Sequence, residues 1–456
     1  MIRVVCFGLA MVFVMACEDP EPLPPTPEEL ARLMDPQTCG ECHPAHLSEW
    51  AGSMHAYASE DPVFLAMNAK GQRETGGQLG SFCVQCHAPV AVRTGATTDG
   101  LNLAELPAAM KGVTCYACHA VSAVEGSHNN PLVFSDDGVM RGGFADAAEN
   151  PVHASSYSNL HDRDHLASAD LCGSCHDIVN PLGVHLEQTY KEWKDSLFSD
   201  PTNPDRSTCN RCHMPGRTDV IADYEGVSLR RHHDHRMPGV DVALTPFPDR
   251  EGQRAAVQLS LDTTLSARLC VGWDGENTRL LVQMENMGAG HAWPSGAVQD
   301  RRAWIEIIGH EGDTLRFSTG QVADGEPMTN LKAEDPQMIT FGATGYDAEG
   351  NVTHDFWDMV RTESDLMPSP IPHLRGIDTG ENHRNYNLSF PGAVDRVEMR
   401  VRLRPMGLEI LQELIDHEGL DPAVKAAMPT FDLGSTRLVW TPEAADQSGC
   451  VPALSR

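Results

Sequence analysis

Five copies of one short pattern constrain this chain more than anything else in it: Cys39-Gly-Glu-Cys42-His43, Cys83-Val-Gln-Cys86-His87, Cys115-Tyr-Ala-Cys118-His119, Cys172-Gly-Ser-Cys175-His176 and Cys209-Asn-Arg-Cys212-His213. Two thiols three positions apart on one turn reach the two vinyl groups of a porphyrin. The histidine that follows at once can rise to the iron, so each copy has the form of a c-type haem attachment site. Zinc knuckles and thioredoxin-type redox motifs share the cysteine spacing, but neither requires that histidine, and zinc sites join such pairs in twos. The chain is therefore expected to carry five covalent haem c groups, with His43, His87, His119, His176 and His213 as proximal iron ligands.

The motifs divide the chain. All five lie between Cys39 and His213 of 456 residues, and a haem domain is expected over 36–248. Five sites in that span leave about 40 residues each, near the size below which a polypeptide buries too little apolar surface to fold unaided. The porphyrins must then form the core, in agreement with an aromatic content of only 6%. Leu47, Trp50 and Met54 continue at helical spacing after His43. Leu186, Tyr190, Trp193 and Leu197 do so after the fourth motif. The expected fold is helical pieces between long loops, with almost no sheet.

The sixth position on each iron decides the chemistry, because a second histidine closes the metal and an open site binds substrate. The chain has 21 histidines, more than enough to close every iron. Candidates from position are His55, His128, His161, His165, and the cluster His232, His233 and His235. Met54, Met214 and Met237 rank second.

Residues 1–16 read as a secretory signal, with Arg3, an apolar run and small Ala16, too short for a bilayer span. Val14-Met15-Ala16-Cys17 resembles a bacterial lipobox, which implies lipidation at Cys17, loss of Cys6 with the signal, and an acidic proline-rich tether over 17–35. The protein is expected to be exported to the periplasm or outer membrane and held there by a lipid anchor. Net charge is −30, which disfavours nucleic acid and suits a redox partner with a basic docking face.

The second half, 249–456, changes character. Val257–Asp262, Arg268–Trp273, Arg279–Glu285, Ala303–Ile308, Arg396–Leu403 and Arg437–Trp440 read as short strands. Together they predict a mainly β sandwich of immunoglobulin-like type, with a helical insert over Leu408–Ala427. Cys270 and Cys450 are the two remaining cysteines of this half and are expected to form a disulfide in an oxidising compartment.

The haem half resembles the multihaem cytochromes c that include the tetrahaem carrier of ammonia oxidation, hydroxylamine oxidoreductase and pentahaem nitrite reductase. The resemblance rests on Trp50-Ala-Gly-Ser-Met-His55, Gly112-Val-Thr-Cys115, Leu171-Cys172 through Asp177 with Thr189-Tyr190-Lys-Glu-Trp193, and Cys212-His213-Met214-Pro215. It implies distal roles for His55 and for His235 or His233. All five motifs end in histidine, unlike the Cys-x-x-Cys-Lys site of the nitrite reductases, and no catalytic residue can be carried over. In the second half, Gly288-Ala-Gly290-His291-Ala-Trp293-Pro294-Ser-Gly296 resembles a loop of such cytochromes. Its glycines would let His291 approach a haem edge.

Two function classes follow. The favoured one is an electron-transfer lipoprotein relaying electrons through mainly bis-histidine haems. The alternative is an oxidoreductase acting on a small nitrogen or sulfur compound at one open haem iron.

Overall fold

The computed structural model describes residues 24–329, 331–369 and 382–452. The signal, Cys17 and the start of the tether lie outside them.

Proline sets the helix starts of the first half. Pro27–Met34, Pro36–Gly40, Pro44–Ala51, Pro62–Glu74 and Pro89–Arg93 all begin on it, where a missing N–H is harmless and the fixed φ suits the first turn. Thr26 and Glu29 form a capping box on Pro27–Met34, and Leu33 is buried with Val90, Tyr116 and Ala117. Residues 27–34 are thus docked helix, not the free tether expected there.

Other local expectations are corrected in the same way. The helix from His43 stops at Gly52, and Ser53 caps a separate short helix, Met54–Tyr57. Leu186 lies in a strand, His185–Glu187, paired with Ile178–Val179, so the helix keeps only Thr189–Lys194. The expectation of almost no sheet also fails. Four two-stranded sheets pair 121–124 with 132–134, 139–142 with 154–157, 178–179 with 185–187, and 216–220 with 229–233. These ladders satisfy backbone groups of the long loops between and after the motifs.

The second half is built on two antiparallel sheets. One runs His383–Pro391, Asn277–Asn286, Leu265–Trp273, Cys450–Pro452. The other centres on Arg302–Glu311 paired along its length with Arg396–Arg404. Alternate residues of both sheets, among them Leu269, Val282, Met284, Ile305, Ile307, Val401 and Leu403, share one buried cluster. Period-2 alternation has put one face of each sheet inward. Helices Leu408–Glu418 and Pro422–Ala427 fill the expected insert and add Leu411, Leu414 and Val424 to the same core. Val257–Asp262 is not a strand, because Arg250–Leu261 is a helix. Gln253, Val257 and Leu261 are buried one turn apart, and the apparent alternation is accidental, with Leu259 69% exposed.

The two halves are packed together. Val63, Val242 and Leu244 enter the core of the sheets. Lys70, 8% exposed, bridges Asp355 at 2.6 Å and Glu413 at 2.7 Å. Asn180 donates to the carbonyls of Phe356 and Met359.

Cys270 and Cys450 are disulfide-bonded across directly paired residues, closing a separation of 180 positions. A loop that long confers on the order of 2–4 kcal/mol by restricting the unfolded chain. The double variant Cys270→Ser/Cys450→Ser is therefore expected to lower the urea midpoint of the oxidised protein, and dithiothreitol should lower the wild-type midpoint to the same value.

Candidate haem sites and their axial histidines

Each motif turns through one short helical segment, as in Cys115–His119 and Cys209–His213. None of the ten motif cysteines forms a disulfide. Their thiols instead meet across motifs: Cys39 contacts Cys115, Cys86 contacts Cys175, and Cys172 contacts Cys209. Cys118 lies near Cys172 and Cys175. The attachment sites thus form one contiguous series, first to third to fourth, with the second and fifth both against the fourth.

The motif histidines have a common hydrogen-bond arrangement. The Nδ1 atoms of His43, His87, His119 and His213 lie 2.7, 3.0, 2.6 and 2.7 Å from the carbonyls of Ile221, Ala58, Arg141 and Pro238. A carbonyl only accepts, so each Nδ1 carries the proton and each Nε2 keeps its lone pair for a metal. Burial lowers His43 and His87 from the usual imidazole value, and His119 is pushed down to about 4 by desolvation, with the Arg141 carbonyl opposing and His235 adding to it. His176 falls to about 4 through burial and then His213.

Three other histidines face motif histidines at one recurring distance. Ring centroids are 6.2 Å apart for His55 and His176, 6.4 Å for His119 and His235, and 6.4 Å for His213 and His291. Two metal–imidazole bonds of about 2 Å plus two ring half-widths give roughly 6 Å. His235 and His291 repeat the Nδ1 arrangement, on the carbonyls of His233 at 2.7 Å and Ala292 at 2.8 Å. His55 places Nδ1 3.1 Å from Met237 Sδ. All three are neutral: burial first, then neighbouring histidines, takes His55 to about 3, while burial takes His235 and His291 to about 4 against their carbonyl bonds.

The sequence positions each of these rings locally. Trp50 Nε1 donates to the Val113 carbonyl at 2.8 Å, and Val113 N donates to the His55 carbonyl at 2.8 Å. Gly112 has φ +70°, and a Cβ there would stand 2.6 Å from the same carbonyl, so only glycine admits this approach. In the His291 loop, Asn286 Nδ2 donates to the His291 carbonyl at 2.7 Å, and Ser295 Oγ donates to Glu192 at 2.7 Å. The loop is seated on the helix that follows the fourth motif.

Other sequence candidates stand elsewhere. His161 has Nε2 3.0 Å from the Cys118 carbonyl, keeps its buried Nδ1 unpartnered, and stacks beside His119 at 5.2 Å. His128 is half-buried next to Ser127 and His185, and His165 accepts from Ala167 N. His233 lends its carbonyl to His235. None of these four faces a motif histidine at the recurring distance. No histidine ring opposes His43 or His87 at the recurring distance among the described residues, and Phe64 lies flat on His87 at 3.9 Å.

Sequence reading missed Glu49. It is 6% exposed and accepts from His232 Nε2 at 2.9 Å, Arg217 at 2.8 Å and the His235 N–H at 3.1 Å. Burial raises its carboxyl, but these bonds together bring it below its usual value. His46, three residues earlier, stacks on His232 at 4.0 Å. An acid one turn after a histidine, just past a motif, was the available signal.

The residues fit covalent haem. Neutral imidazoles offer Nε2, opposed pairs have iron-spanning separation, and the cysteines are free of disulfides. Apolar clusters among the motifs stay small, such as Ala169, Tyr190 and Trp193, as expected where a prosthetic group supplies the core.

Residues 38–120 match the family model described as cytochrome c554 and c-prime, which spans the first three motifs. The crystal structure of a penta-heme cytochrome c552 from Thermochromatium tepidum aligns with a TM-score of 0.61 at 20% identity, covering 90% of this chain and 98% of that chain. No curated protein matches. The chain has the fold of a multihaem c-type cytochrome, a helical N-terminal region followed by antiparallel sheets.

Glu187 lies beside this series, near Cys86. Burial pushes its carboxyl up to about 7; Arg301 opposes that, while Asp241, Asp300 and Asp177 reinforce it. A raised carboxyl stabilises the fold below its unfolded value, about 4.5, and that contribution is lost as pH rises through about 7. The urea midpoint is expected to fall across that window, and Glu187→Gln should flatten the fall.

Proposed function

We propose that this multihaem c-type cytochrome binds five haems c and relays electrons between redox partners. The proximal ligands are His43, His87, His119, His176 and His213. His235 closes the third site, His55 the fourth and His291 the fifth. The observation that carries this reading is the set of three opposed imidazole pairs at 6.2–6.4 Å. Bound haem supplies a one-electron ferric–ferrous couple, and paired imidazoles keep the iron low-spin. The chain's part is to fix spacing. Its motif thiols meet in the order first, third, fourth, with branches to the second and fifth, which suits short hops.

The second half serves the relay by carrying His291, and we read its two sheets as an immunoglobulin-like sandwich. The signal-like residues 1–16 and the lipobox-like stretch ending at Cys17 support a reading of the protein as lipid-anchored in the periplasm or at the outer membrane. The −30 charge favours partners with basic faces in salt-sensitive encounters.

The second reading, reduction or oxidation of a small nitrogen or sulfur compound, has one observation in its favour. His43 and His87 face no histidine at the recurring distance among the described residues, so the first or second iron is where substrate would bind.

Electron paramagnetic resonance of the oxidised, haem-loaded protein and carbon monoxide binding to the reduced form decide between the two. The relay predicts low-spin third, fourth and fifth irons that take up no carbon monoxide in the wild type; rapid uptake by the first or second iron favours the enzyme. Each of His55→Ala, His235→Ala and His291→Ala should convert one low-spin iron to high-spin and admit carbon monoxide, while His161→Ala should convert none. An unchanged spectrum in the first three would remove the ligand assignment.

A further inference from the structure

Arg163 is the least compensated charge in the described structure. Its side chain is 11% exposed, yet Nε and Nη1 are buried with no hydrogen-bond partner among the described residues. The nearest carboxylate, Asp164, stands 4.0 Å from Nε and is committed to Arg211 at 2.6 and 3.1 Å. The nearby charges do not help, because Arg231 and Arg211 both oppose the cation and only Asp164 and Cys212 favour it.

This is exceptional in an acidic chain with 64 Asp and Glu against 34 Lys and Arg. Other well-buried arginines have acceptors: Arg301 has Asp241, Arg302 has Glu409, Arg141 has Asp137, Arg402 has Asp432 and Asp324, and Arg404, without a carboxylate, has the carbonyls of Glu326, Ala323 and Asp324. An arginine cannot escape by losing its proton. A buried unpaired charge costs several kcal/mol, so the site calls for an anion from outside the polypeptide.

The surroundings are built to hold the guanidinium in place. Thr208 Oγ1 donates to the Arg163 carbonyl at 2.7 Å, immediately before the fifth motif. Gly216 lets Arg163 and Arg231 close over the following strand, where a Cβ would stand 2.9 Å from Arg163 Nη1 and 2.8 Å from Arg231 Cγ. Cys212 beside them is the one exposed motif cysteine.

We propose that Arg163, assisted by Arg231, binds an anionic oxygen ligand, a carboxylate or oxyanion, beside the fifth attachment site. A buried guanidinium with Nε and Nη1 unpaired has charge-assisted donors to offer such a group. Two sources share that chemistry, a haem propionate and a free inorganic oxyanion. The propionate source rests on the five-haem reading given above.

The test uses the full haem-loaded chain and the variants Arg163→Gln, Arg163→Lys and Arg231→Gln, with haem content counted separately by the pyridine haemochrome. If the ligand is a propionate, loss of the cation favours the ferric state. Arg163→Gln then lowers one midpoint potential in oxyanion-free buffer by at least a tenfold change in equilibrium constant, about 59 mV for one electron, and Arg163→Lys restores most of it. If the ligand is a free anion, calorimetry shows saturable binding of inorganic phosphate to wild type that Arg163→Gln abolishes. Unmoved midpoints together with phosphate binding that is absent or unaltered overturn the proposal. If Arg163→Gln does not fold, Arg231→Gln on its exposed strand decides by the same two readouts. A haem count below five overturns the five-haem reading instead, and the phosphate arm still judges Arg163.

Discussion

Everything in the first half depends on one interaction, the hydrogen bond from histidine Nδ1 to a backbone carbonyl. It fixes the tautomer and the ring orientation together, so Nε2 points where a metal can take it. Burial then keeps the ring neutral at working pH, which leaves the lone pair available. The bond also links distant pieces of chain, since His43 reaches Ile221 and His213 reaches Pro238. Long loops that would otherwise be free become the acceptors that orient the sites.

That dependence explains what the sequence could and could not reveal. The attachment motifs are local, because Cys, Cys and His share a single turn, and so they are legible as strings. The strands of the second half are legible too, since period-2 alternation is written in consecutive residues, as in Leu280, Val282 and Met284. Opposed histidines are not local. His55 meets His176 and His291 meets His213 only after the chain has folded, so position along the sequence could nominate His161 and His128 with equal force. His161 differs from His55 in a way no string contains, a carbonyl at its Nε2. Val257–Asp262 failed as a strand because alternation and helical spacing coincide when Val257 and Leu261 are four apart. Glu49 and Arg163 were invisible because a charged residue declares itself buried only in three dimensions.

The two halves are chemically joined as well as packed. The loop from Gly288 to Gly296 carries His291 toward the fifth motif, and Ser295 ties the same loop to Glu192 and Thr189 beside the fourth. A loop anchored beside the fourth motif while its His291 faces His213 of the fifth sets the spacing between the two. The sheets behind it supply stiffness, because Asn286 at the end of a fully paired strand holds the His291 carbonyl.

Stiffness suits the proposed relay because electron hopping depends steeply on distance, so a relay needs fixed geometry more than it needs net stability. The half-to-half contacts fit that need. Lys70 is nearly buried between Asp355 and Glu413, and Arg301 grips Asp241 through both terminal nitrogens at 3.0 and 3.1 Å. Buried ion pairs contribute little net free energy, because desolvation offsets their attraction, but a misregistered pair leaves an uncompensated charge and is strongly disfavoured. Apolar contact between the halves, through Val63, Val242 and Leu244, favours association without selecting one orientation sharply. The ion pairs select it, and the orientation they select is the one that brings His291 over His213.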